Sequence, residues 1–375
     1  MLKILLTSDI HLNLRSEILP RSEKYRIETF KRISFLAKKF DLLIIAGDLF
    51  DSTDINSDLI DLIRKEFSEI RACGVEIIYT PGENELNEDK TLPSFLYNLN
   101  LTHIFSDTSN ISSYSYSKNG QKVYIYGLPA GSDFDISKIE KLSGDGFHLG
   151  LFHLNFYLQD DNRDSGVFRF EKWDKQSLNL DFYALGHYHD FKLYKLMGRV
   201  IGAYPGSPES TSLKETGDRY VLSIIIEDDE VSQVKRFAVN SIRYDEITLN
   251  CSELNDSSGI LKILEEKKSL KTSLIINLIG ERDFIIDHSE IEGFNKEFCY
   301  LYINDQSIPL LEILIEEFIN EDSLRGEFFE VLNQRINKGE LPEGIVKKTL
   351  TDILLKITRA GYYSPEEWLC RYKNV

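Results

Sequence analysis

The sequence contains few cysteines and no long apolar run. Its cysteines are scattered, form no CxxC motif, and are Cys73, Cys251, Cys299 and Cys370. This usage argues against a disulfide framework and a zinc ribbon and is typical of a reducing compartment. No apolar stretch approaches the ~20 residues of a membrane-spanning helix. No basic segment leads into an apolar region with a small-residue cleavage site near Met1. We therefore expect a cytoplasmic protein that makes no membrane contact.

The chain also has fewer basic than acidic residues. It contains 44 Lys and Arg and 61 Asp and Glu, which gives a formal net charge of −17. A protein that grips nucleic acid usually carries a basic surface, so any DNA contact must be local or assisted by bound cations. One basic cluster exists, and a DNA contact and the solvated face of an amphipathic helix explain it equally well. It comprises Arg15, Arg21, Lys24, Arg26, Lys31, Arg32, Lys38 and Lys39.

Buried strands and amphipathic helices alternate along the first part of the chain. With 375 residues, of which 42% are hydrophobic, the chain is long enough for two or three globular domains. The apolar run LKILLTSDIHL at Leu2–Leu12 predicts a strand, and the spacing of Ile27, Phe30 and Ile33 predicts a helix after it. The runs DLLIIAGDLFD and VEIIYTPGENE predict two further strands, separated by a helix over about Asn56–Cys73.

This β-α-β-α-β order predicts a parallel sheet, whose ligand site lies beyond the C-terminal ends of its strands. Asp9, His11, Asp48 and the Gly82–Glu85 turn all fall at that edge. Residues 101–128, which include LTHIFS, SSYSYS and KVYIYGLP, predict short strands of a second sheet.

Two later predicted strands also end in histidine. HLGLFH ends at His153, and DFYALGHYH ends at His187 and His189. Residues 242–305 then predict a small β-α-β-α-β unit, and the chain from Pro309 onward has helical periodicity. Its last helical segment carries an apolar stripe at spacing three to four, formed by Val346, Leu350, Ile353 or Leu354, and Ile357.

The strand ends together supply two carboxylates and four of the seven histidines in the chain. Oxygen and imidazole ligands without thiolate suit Mn, Fe, Zn or Co rather than a structural zinc. Because these ligands exceed what one ion needs, the pattern indicates two metals that share a bridging carboxylate. Such a pair can generate hydroxide and clamp the oxygens of a displacement at phosphorus. For His103, His148 and His288 we expect ordinary core or surface roles.

At these residues the sequence resembles the calcineurin-like metallophosphoesterases, whose motifs run DxH, GD, GNH(D/E), H and GHxH. The corresponding segments here are SDIH, AGDLFD, PGENE, LFH and GHYH. GDLFD, ALGHYH and YPGSP are further similar to DNA-repair nucleases of the SbcD type and to bacterial YhaO-type exonucleases. The resemblance implies a four-layer α/β/β/α sandwich followed by a small α/β cap domain and C-terminal helices. It also implies two divalent metal ions, with Mn²⁺ expected first and Mg²⁺, Fe²⁺ or Zn²⁺ as alternatives.

Carried over by resemblance, the first metal would be held by Asp9, His11, Asp48 and His189. Asp48 would bridge to a second metal held with His153, His187 and a residue of the PGENE turn.

The PGENE turn departs from the family pattern. Without a gap, Glu83 replaces the Asn ligand and Asn84 replaces the His that lies beside the scissile phosphate. If the register shifts by one residue, Asn84 becomes the ligand and Glu85 occupies the His place. The histidine is absent in either register, and an amide cannot give up a proton as an imidazolium can. We therefore predict catalytic roles for Asp48, Glu83 and Asn84, with metal binding retained and hydrolysis slowed.

By the same resemblance, residues 1–239 would form the nuclease domain, 240–305 the cap and 306–375 a helical region that binds a partner. The expected function is a metal-dependent DNA exo- or endonuclease subunit of an SbcCD-like repair complex. The partner would be an SbcC-like ABC-type ATPase, docked on the C-terminal helices, and the nuclease domain would form a homodimer. The alternatives are a catalytically weakened DNA-end-binding scaffold and a small-molecule phosphodiesterase. The apolar stripe could equally pack on the chain's own cap.

Overall fold

A computed structural model describes most of the first 340 residues of the chain. The described ranges are 1–16, 19, 22–87, 91–130, 139–154, 180–282, 284–286, 288–309, 315, 318–322 and 324–340. The chain divides into two compact units, Met1–Ser241 and Ile242–Val375. Among the described residues, no helix is both long and apolar enough to cross a membrane.

The described residues of the first unit form twelve strands and two α-helices. The strands are β1 (Leu2–Thr7), β2 (Leu42–Ala46), β3 (Glu76–Thr80), β4 (His103–Ile104), β5 (Ser112–Lys118), β6 (Gln121–Leu128), β7 (Phe147–His153), β8 (Phe182–Gly186), β9 (Lys192–Leu196), β10 (Arg199–Tyr204), β11 (Tyr220–Glu227) and β12 (Glu230–Ala238). The helices are α1 (Ser22–Ala37) and α2 (Ser57–Ala72), with short 3₁₀ turns at Glu83–Glu85 and Ser94–Asn98.

The predicted parallel sheet is confirmed as the centre of a larger mixed sheet. Its strand order is β12-β11-β1-β2-β3-β4. Strands β1 to β4 are parallel, whereas β11 pairs antiparallel with β1 and β12 antiparallel with β11. Every residue of β2 is buried, as the continuous apolar run LLIIA predicts for a strand covered on both faces.

The second sheet has the order β5-β6-β7-β8-β10-β9 and is also mixed. Strands β6, β7, β8 and β10 are parallel, and β5 and β9 are antiparallel at the two edges. One prediction was wrong, because the LTHIFS segment does not join this sheet. Its residues His103 and Ile104 pair instead with β3 of the first sheet. An apolar run indicates that a strand exists, but it does not indicate which other strand it pairs with.

The two sheets form a sandwich, as expected from the resemblance. Side chains of both sheets, including Ile44, Leu149 and Phe182, form one buried core between them. The opposite face of the first sheet is covered by α1 and α2, whose Phe30 and Phe67 are buried there. Three of the four predicted layers are thus present. The prediction of a fourth layer, on the outer face of the second sheet, falls on residues outside the described ranges.

The described elements of the second unit are β13 (Arg243–Asn250), α3 (Ser258–Lys267), β14 (Ser269–Ile279), β15 (Glu281–Arg282), α4 (His288–Glu292), β16 (Phe298–Asp305), β17 (Ile308–Pro309) and α5 (Leu324–Asn337), with 3₁₀ turns at Cys251–Glu253 and Gly293–Glu297. Strands β13, β14 and β16 form a small parallel sheet in the order β13-β14-β16. This is the β-α-β-α-β unit that the sequence predicts. The apolar stripe that begins at Val346 lies outside the described residues, and the three-part division of the chain stays a prediction.

The basic cluster on and around α1 is only partly a surface feature. Arg26 is fully buried and donates to the backbone oxygens of Ile10 at 2.8 Å and Ser210 at 2.5 Å. Arg32 donates to the backbone oxygens of Val239 and Asn240. These two guanidinium groups donate hydrogen bonds to backbone oxygens of distant segments, so they are not free surface charges available to DNA.

Candidate metal centre

The site begins where the turns after β1 and β2 run side by side. The Asp9 amide donates to the Gly47 oxygen at 3.0 Å, and the His11 amide donates to the Asp48 oxygen at 3.0 Å. These bonds fix Asp9 and His11 against Asp48, although the two turns are far apart in sequence. The polar convergence predicted from the strand ends is therefore present in the structure.

The backbone at these positions is unusual. Asp9, His11, Asp48 and His187 have φ values of 51°, 50°, 48° and 95°, in the left-handed region that favours glycine. Such a conformation carries strain of about 1–3 kcal/mol per residue and persists only where the surroundings hold it. Four strained residues at the ends of strands from both sheets indicate a functional site.

The side chains of five predicted ligands converge on a small space. Asp48 Oδ2 lies 3.7 Å from His11 Nε2 and 3.5 Å from His153 Nε2, the position expected of a bridging carboxylate. His189 Nε2 lies 3.3 Å from His11 Nε2 and 4.0 Å from Asp9 Oδ1. Among the described residues, two groups of three have ligand atoms that all lie within 4.8 Å of one another. One group is Asp9, His11 and His189, and the other is Asp9, Asp48 and His153.

The donor atoms fit divalent metal ions. Asp9 Oδ2 and His153 Nε2 are buried without a hydrogen-bond partner in the described part of the chain. A buried polar atom that lacks a partner is costly, unless a ligand satisfies it. The set contains carboxylate oxygen and imidazole nitrogen without sulfur, the donors that Mn²⁺, Fe²⁺ and Zn²⁺ accept.

Three of the histidines are oriented through Nδ1, the ring nitrogen that faces away from the centre. His11 Nδ1 lies 3.0 Å from Asp51 Oδ1, His189 Nδ1 lies 2.8 Å from Glu215 Oε1, and His153 Nδ1 lies 2.9 Å from the Ala46 backbone oxygen. Such outer partners fix the ring orientation and the tautomer of a metal-binding histidine.

Charge balance within the site shifts the pKa values of its members. Burial favours the neutral forms of Glu215 and His189. The hydrogen bonds of Glu215 to His189 and Thr211 outweigh burial and hold its pKa at about 2. The same bond to Glu215, with the charges of Asp9 and Asp48, raises the pKa of His189 above its ordinary value. For His153, burial lowers the pKa, but the charges of Asp48 and Asp9 outweigh it and raise the pKa.

The PGENE turn is anchored to the site by Glu85. This fully buried carboxylate accepts hydrogen bonds from the backbone amides of Gly82 at 2.7 Å, Phe50 at 2.9 Å and Asp48 at 3.2 Å. Burial and the neighbouring Asp48 charge raise the pKa of Glu85 to about 7. Because Glu85 binds backbone amides, the structure favours the ungapped register, in which Asn84 occupies the histidine place.

Asn84 and Glu83 have different surroundings. The Asn84 amide nitrogen Nδ2 donates to Asp48 Oδ2 at 2.8 Å, and its backbone amide lies 3.3 Å from Asp48 Oδ1. The Glu83 carboxylate is half exposed and lies 3.5 Å from His187 Nδ1. His187 packs its ring against His153 at 5.3 Å and donates its backbone amide to Asp9 at 2.9 Å. Glu83 and His187 therefore lie at the rim and belong to neither compact group.

The predicted ligands of this centre all lie within one segment that matches a known family. The family model of the calcineurin-like phosphoesterases matches this segment, residues 2–191. The chain belongs to the calcineurin-like phosphoesterase family. Membership implies phosphoester hydrolysis with divalent metal ions.

Two curated proteins are similar to this chain. It is 22% identical over 232 residues to the uncharacterized metallophosphoesterase YhaO of Bacillus subtilis, covering 60% of this chain and 55% of that protein. It is 26% identical over 229 residues to the DNA double-strand break repair protein Mre11 of Methanopyrus kandleri, covering 56% of this chain and 49% of that protein. The chain thus spans about half the length of the curated relatives it matches.

Among solved structures, a glutamine-dependent NAD⁺ synthetase from Acinetobacter baumannii aligns with 99% of this chain and 85% of its own. The identity is 11% and the TM-score is 0.26, a level at which likeness says nothing about fold or function.

The sequence analysis missed two polar residues of this site, Asp51 and Glu215, and gave a third, Glu85, a different role. Asp51 ends the AGDLFD motif, so its place beside Asp48 offered a signal. Glu215 lies 26 residues beyond His189 in a polar loop, and no motif marks it. Glu85 was considered only as a substitute for the missing histidine, whereas its carboxylate ties two turns together.

Gly186 lies where the end of β8 touches the end of β2, in the other sheet. A Cβ atom there would lie 1.7 Å from the Ala46 oxygen and 2.8 Å from His153 Nδ1. We predict that Gly186→Ala displaces His153, destabilises the fold by ~1–3 kcal/mol and weakens Mn²⁺ binding at least about tenfold. Isothermal titration with Mn²⁺ and thermal unfolding measure both effects.

Gly293→Ala is the control, because no atom lies within 4 Å of its added Cβ. Unchanged Mn²⁺ affinity in Gly186→Ala would contradict the prediction.

Proposed function

We propose that the protein is a metal-dependent nuclease that hydrolyses phosphodiester bonds in DNA. The observation that carries this proposal is the convergence of Asp48 with His11 and His153, at 3.7 and 3.5 Å, where strand ends of the two sheets meet. Similarity to an Mre11 protein named for DNA double-strand break repair supports DNA as the substrate. Asp9, His11, Asp48 and His189 would hold one ion, and Asp48, His153, His187 and a residue of the PGENE turn the other.

When bound, two such ions supply a hydroxide nucleophile at neutral pH and stabilise the charge that develops on phosphate oxygens. The protein residues position this chemistry. Asp48 lies between the two histidine sets, and Glu85 holds the backbone of Asp48. Asn84 can donate a hydrogen bond toward the substrate region but cannot donate a proton to a leaving group. We therefore propose a slow nuclease, lacking about the 10²–10⁴-fold that a positioned acid contributes.

A second candidate is a DNA-end-binding scaffold with little activity. The position of Asn84 favours it, because this amide binds Asp48 where the family pattern has an imidazole. The net charge of −17 is compatible with a protein that binds DNA locally, at a metal-occupied site.

Hydrolysis of end-labelled single- and double-stranded DNA in Mn²⁺ tests the proposal. We expect weak cleavage by the wild type, a loss of at least about 10²-fold in Asp48→Ala and a gain of about 10²–10⁴-fold in Asn84→His. The Asp48 variant loses a shared carboxylate, whereas the Asn84 variant regains an imidazole.

Asp61→Ala is the matched control for Asp48→Ala, because Asp61 is an exposed carboxylate on α2 whose ion-pair partner within the described ranges is the surface side chain of Arg64. If wild type is inactive and Asn84→His is active, the scaffold is the better account. If all variants bind Mn²⁺ and none cleaves DNA, the nuclease proposal is wrong.

The choice between DNA and a small phosphodiester is tested by the salt dependence of binding. We expect the affinity for a DNA end, measured in Ca²⁺ with DNA that resists cleavage, to fall as the salt concentration rises. The slope of log affinity against log salt concentration should be about −0.9 for each phosphate contacted. Fluorescence anisotropy between 50 and 300 mM KCl measures the slope. A slope near zero would favour the small-molecule phosphodiesterase.

We also propose that the C-terminal helices bind an SbcC-like ABC-type ATPase and that the nuclease domain forms a homodimer. The apolar stripe at spacing three to four is typical of a helix that lies in a groove of a partner. Leu350→Glu should abolish co-purification with the SbcC-type ATPase of the same source, because it places a charge within the stripe.

Thr351→Glu, one position away from the stripe, should preserve that co-purification. Equal binding by both variants would contradict partner docking. Aggregation of Leu350→Glu alone would favour packing of the stripe on the chain's own cap.

A further inference from the structure

A large exposed side chain, Tyr188, lies between two predicted metal ligands. It separates His187 from His189 in the turn that follows β8. Because successive Cα atoms are about 3.8 Å apart, the backbone of Tyr188 adjoins both of these histidines. His189 Nε2 lies 3.3 Å from His11 Nε2, and the Tyr188 side chain is 46% exposed. An aromatic ring is therefore available at the rim of the metal centre.

The turn that carries Tyr188 is fixed on both sides. After it, the His189 backbone oxygen accepts from the Ser207 amide at 2.9 Å. Before it, the His187 amide donates to Asp9 Oδ1 at 2.9 Å. A side chain on a fixed turn keeps its place before a substrate arrives, which reduces the entropy lost on binding.

The Tyr188 ring packs against a buried tyrosine. Its centroid lies 5.8 Å from that of Tyr204, with an angle of 60° between the ring planes. Tyr204 is buried, and its hydroxyl donates to the Leu154 backbone oxygen at 2.6 Å. The exposed ring is thus supported by the protein while part of it stays open to solvent. Rings of this kind are those on which unpaired bases stack in proteins that bind single-stranded nucleic acid.

Lys192 brings a positive charge to the same ring. Its Nζ lies 5.8 Å from the Tyr188 centroid and 5.3 Å from the Tyr194 centroid. Within the described part of the chain no carboxylate forms an ion pair with Lys192, and the acidic residue nearest to it in sequence, Asp190, pairs with Arg219 at 3.2 Å. The Lys192 ammonium can therefore contact a phosphate as a point charge.

We propose that Tyr188 and Lys192 form a binding subsite for one nucleotide at an unpaired DNA end. Tyr188 stacks on the base, and Lys192 contacts a phosphate. A base inside a duplex is already stacked and paired, and exposing it costs free energy, so the subsite favours single-stranded or frayed ends over an intact duplex. This inference rests on the proposed nuclease function and adds a strand preference to it.

Fluorescence anisotropy in Ca²⁺, with single-stranded DNA that resists cleavage, tests the stacking. We expect Tyr188→Ala to weaken binding by about 5–150-fold, the loss of one base–aromatic stack. Tyr188→Phe keeps the ring and should bind like wild type. Tyr97→Ala is the matched control, because Tyr97 is also exposed but lies in the 3₁₀ turn at Ser94–Asn98.

DNA without bases at its end identifies the group that the ring contacts. Replacing the terminal bases by abasic sites should weaken binding to wild type and should change binding to Tyr188→Ala little, because the two changes remove the same contact. The comparison in wild type needs no variant, so it holds even if Tyr188→Ala folds poorly. Quenching of a 2-aminopurine base at the DNA end should occur with wild type and disappear in Tyr188→Ala.

Lys192→Gln tests the phosphate contact separately. It should reduce the slope of log affinity against log salt concentration by about 0.7, the value for one phosphate of a single strand. Tyr188→Ala should leave this slope unchanged, because stacking on a neutral ring releases no counterion. Lys65→Gln, which removes an exposed lysine on α2, is the control and should leave the slope unchanged as well.

The outcomes separate this inference from the proposed function. Equal affinity of wild type for abasic and base-containing single strands would overturn the stacking, as would unchanged binding in Tyr188→Ala. Equal losses for single strands and intact duplex in Tyr188→Ala would overturn the strand preference. An unchanged salt slope in Lys192→Gln would overturn the phosphate contact. In each case cleavage that depends on Asp48 would leave the nuclease proposal standing, whereas a wild type that neither binds nor cleaves DNA would overturn both.

Discussion

The metal centre depends on the pairing of two turns that follow β1 and β2. Backbone bonds from Asp9 to Gly47 and from His11 to Asp48 hold these turns side by side. The pairing forces Asp9, His11 and Asp48 into left-handed backbone conformations, which are unfavourable for residues other than glycine. The strands below are buried on both faces, so the strain is held by the core rather than by the site itself.

The same arrangement concentrates negative charge where water is scarce. Asp9, Asp48 and Glu85 are all buried, with relative exposures of 0%, 4% and 0%. Burial first, and then the neighbouring Asp48 charge, disfavours ionisation of Glu85 and raises its pKa to about 7. A divalent cation beside Asp9 and Asp48 relieves this repulsion. The architecture of the site is thus more compatible with an occupied than with an empty centre.

Catalytic power depends on a different part of the site. The PGENE turn keeps its anchor, Glu85, and presents an amide at Asn84 beside Asp48. In the proposed function, metal binding and hydrolysis would be separable, because the Asp and His ligands come from strand ends, whereas the turn presents an amide where the family pattern has an imidazole. Asp51 and Glu215 contact the Nδ1 atoms of His11 and His189.

The sequence by itself determined the main strands, the β-α-β-α-β order of both units and which candidate ligands stand at strand ends. These follow from local rules: apolar runs bury strands, and parallel strands end at one edge. The tertiary structure decided what local rules do not contain. His103 and Ile104 pair with the first sheet, Arg26 is buried rather than part of a basic surface, and Glu215 contacts His189 from beyond strands β9 and β10. The physical reason is that strand partners, burial of a charge and hydrogen bonds between distant loops depend on which surfaces meet, and sequence periodicity carries no record of that.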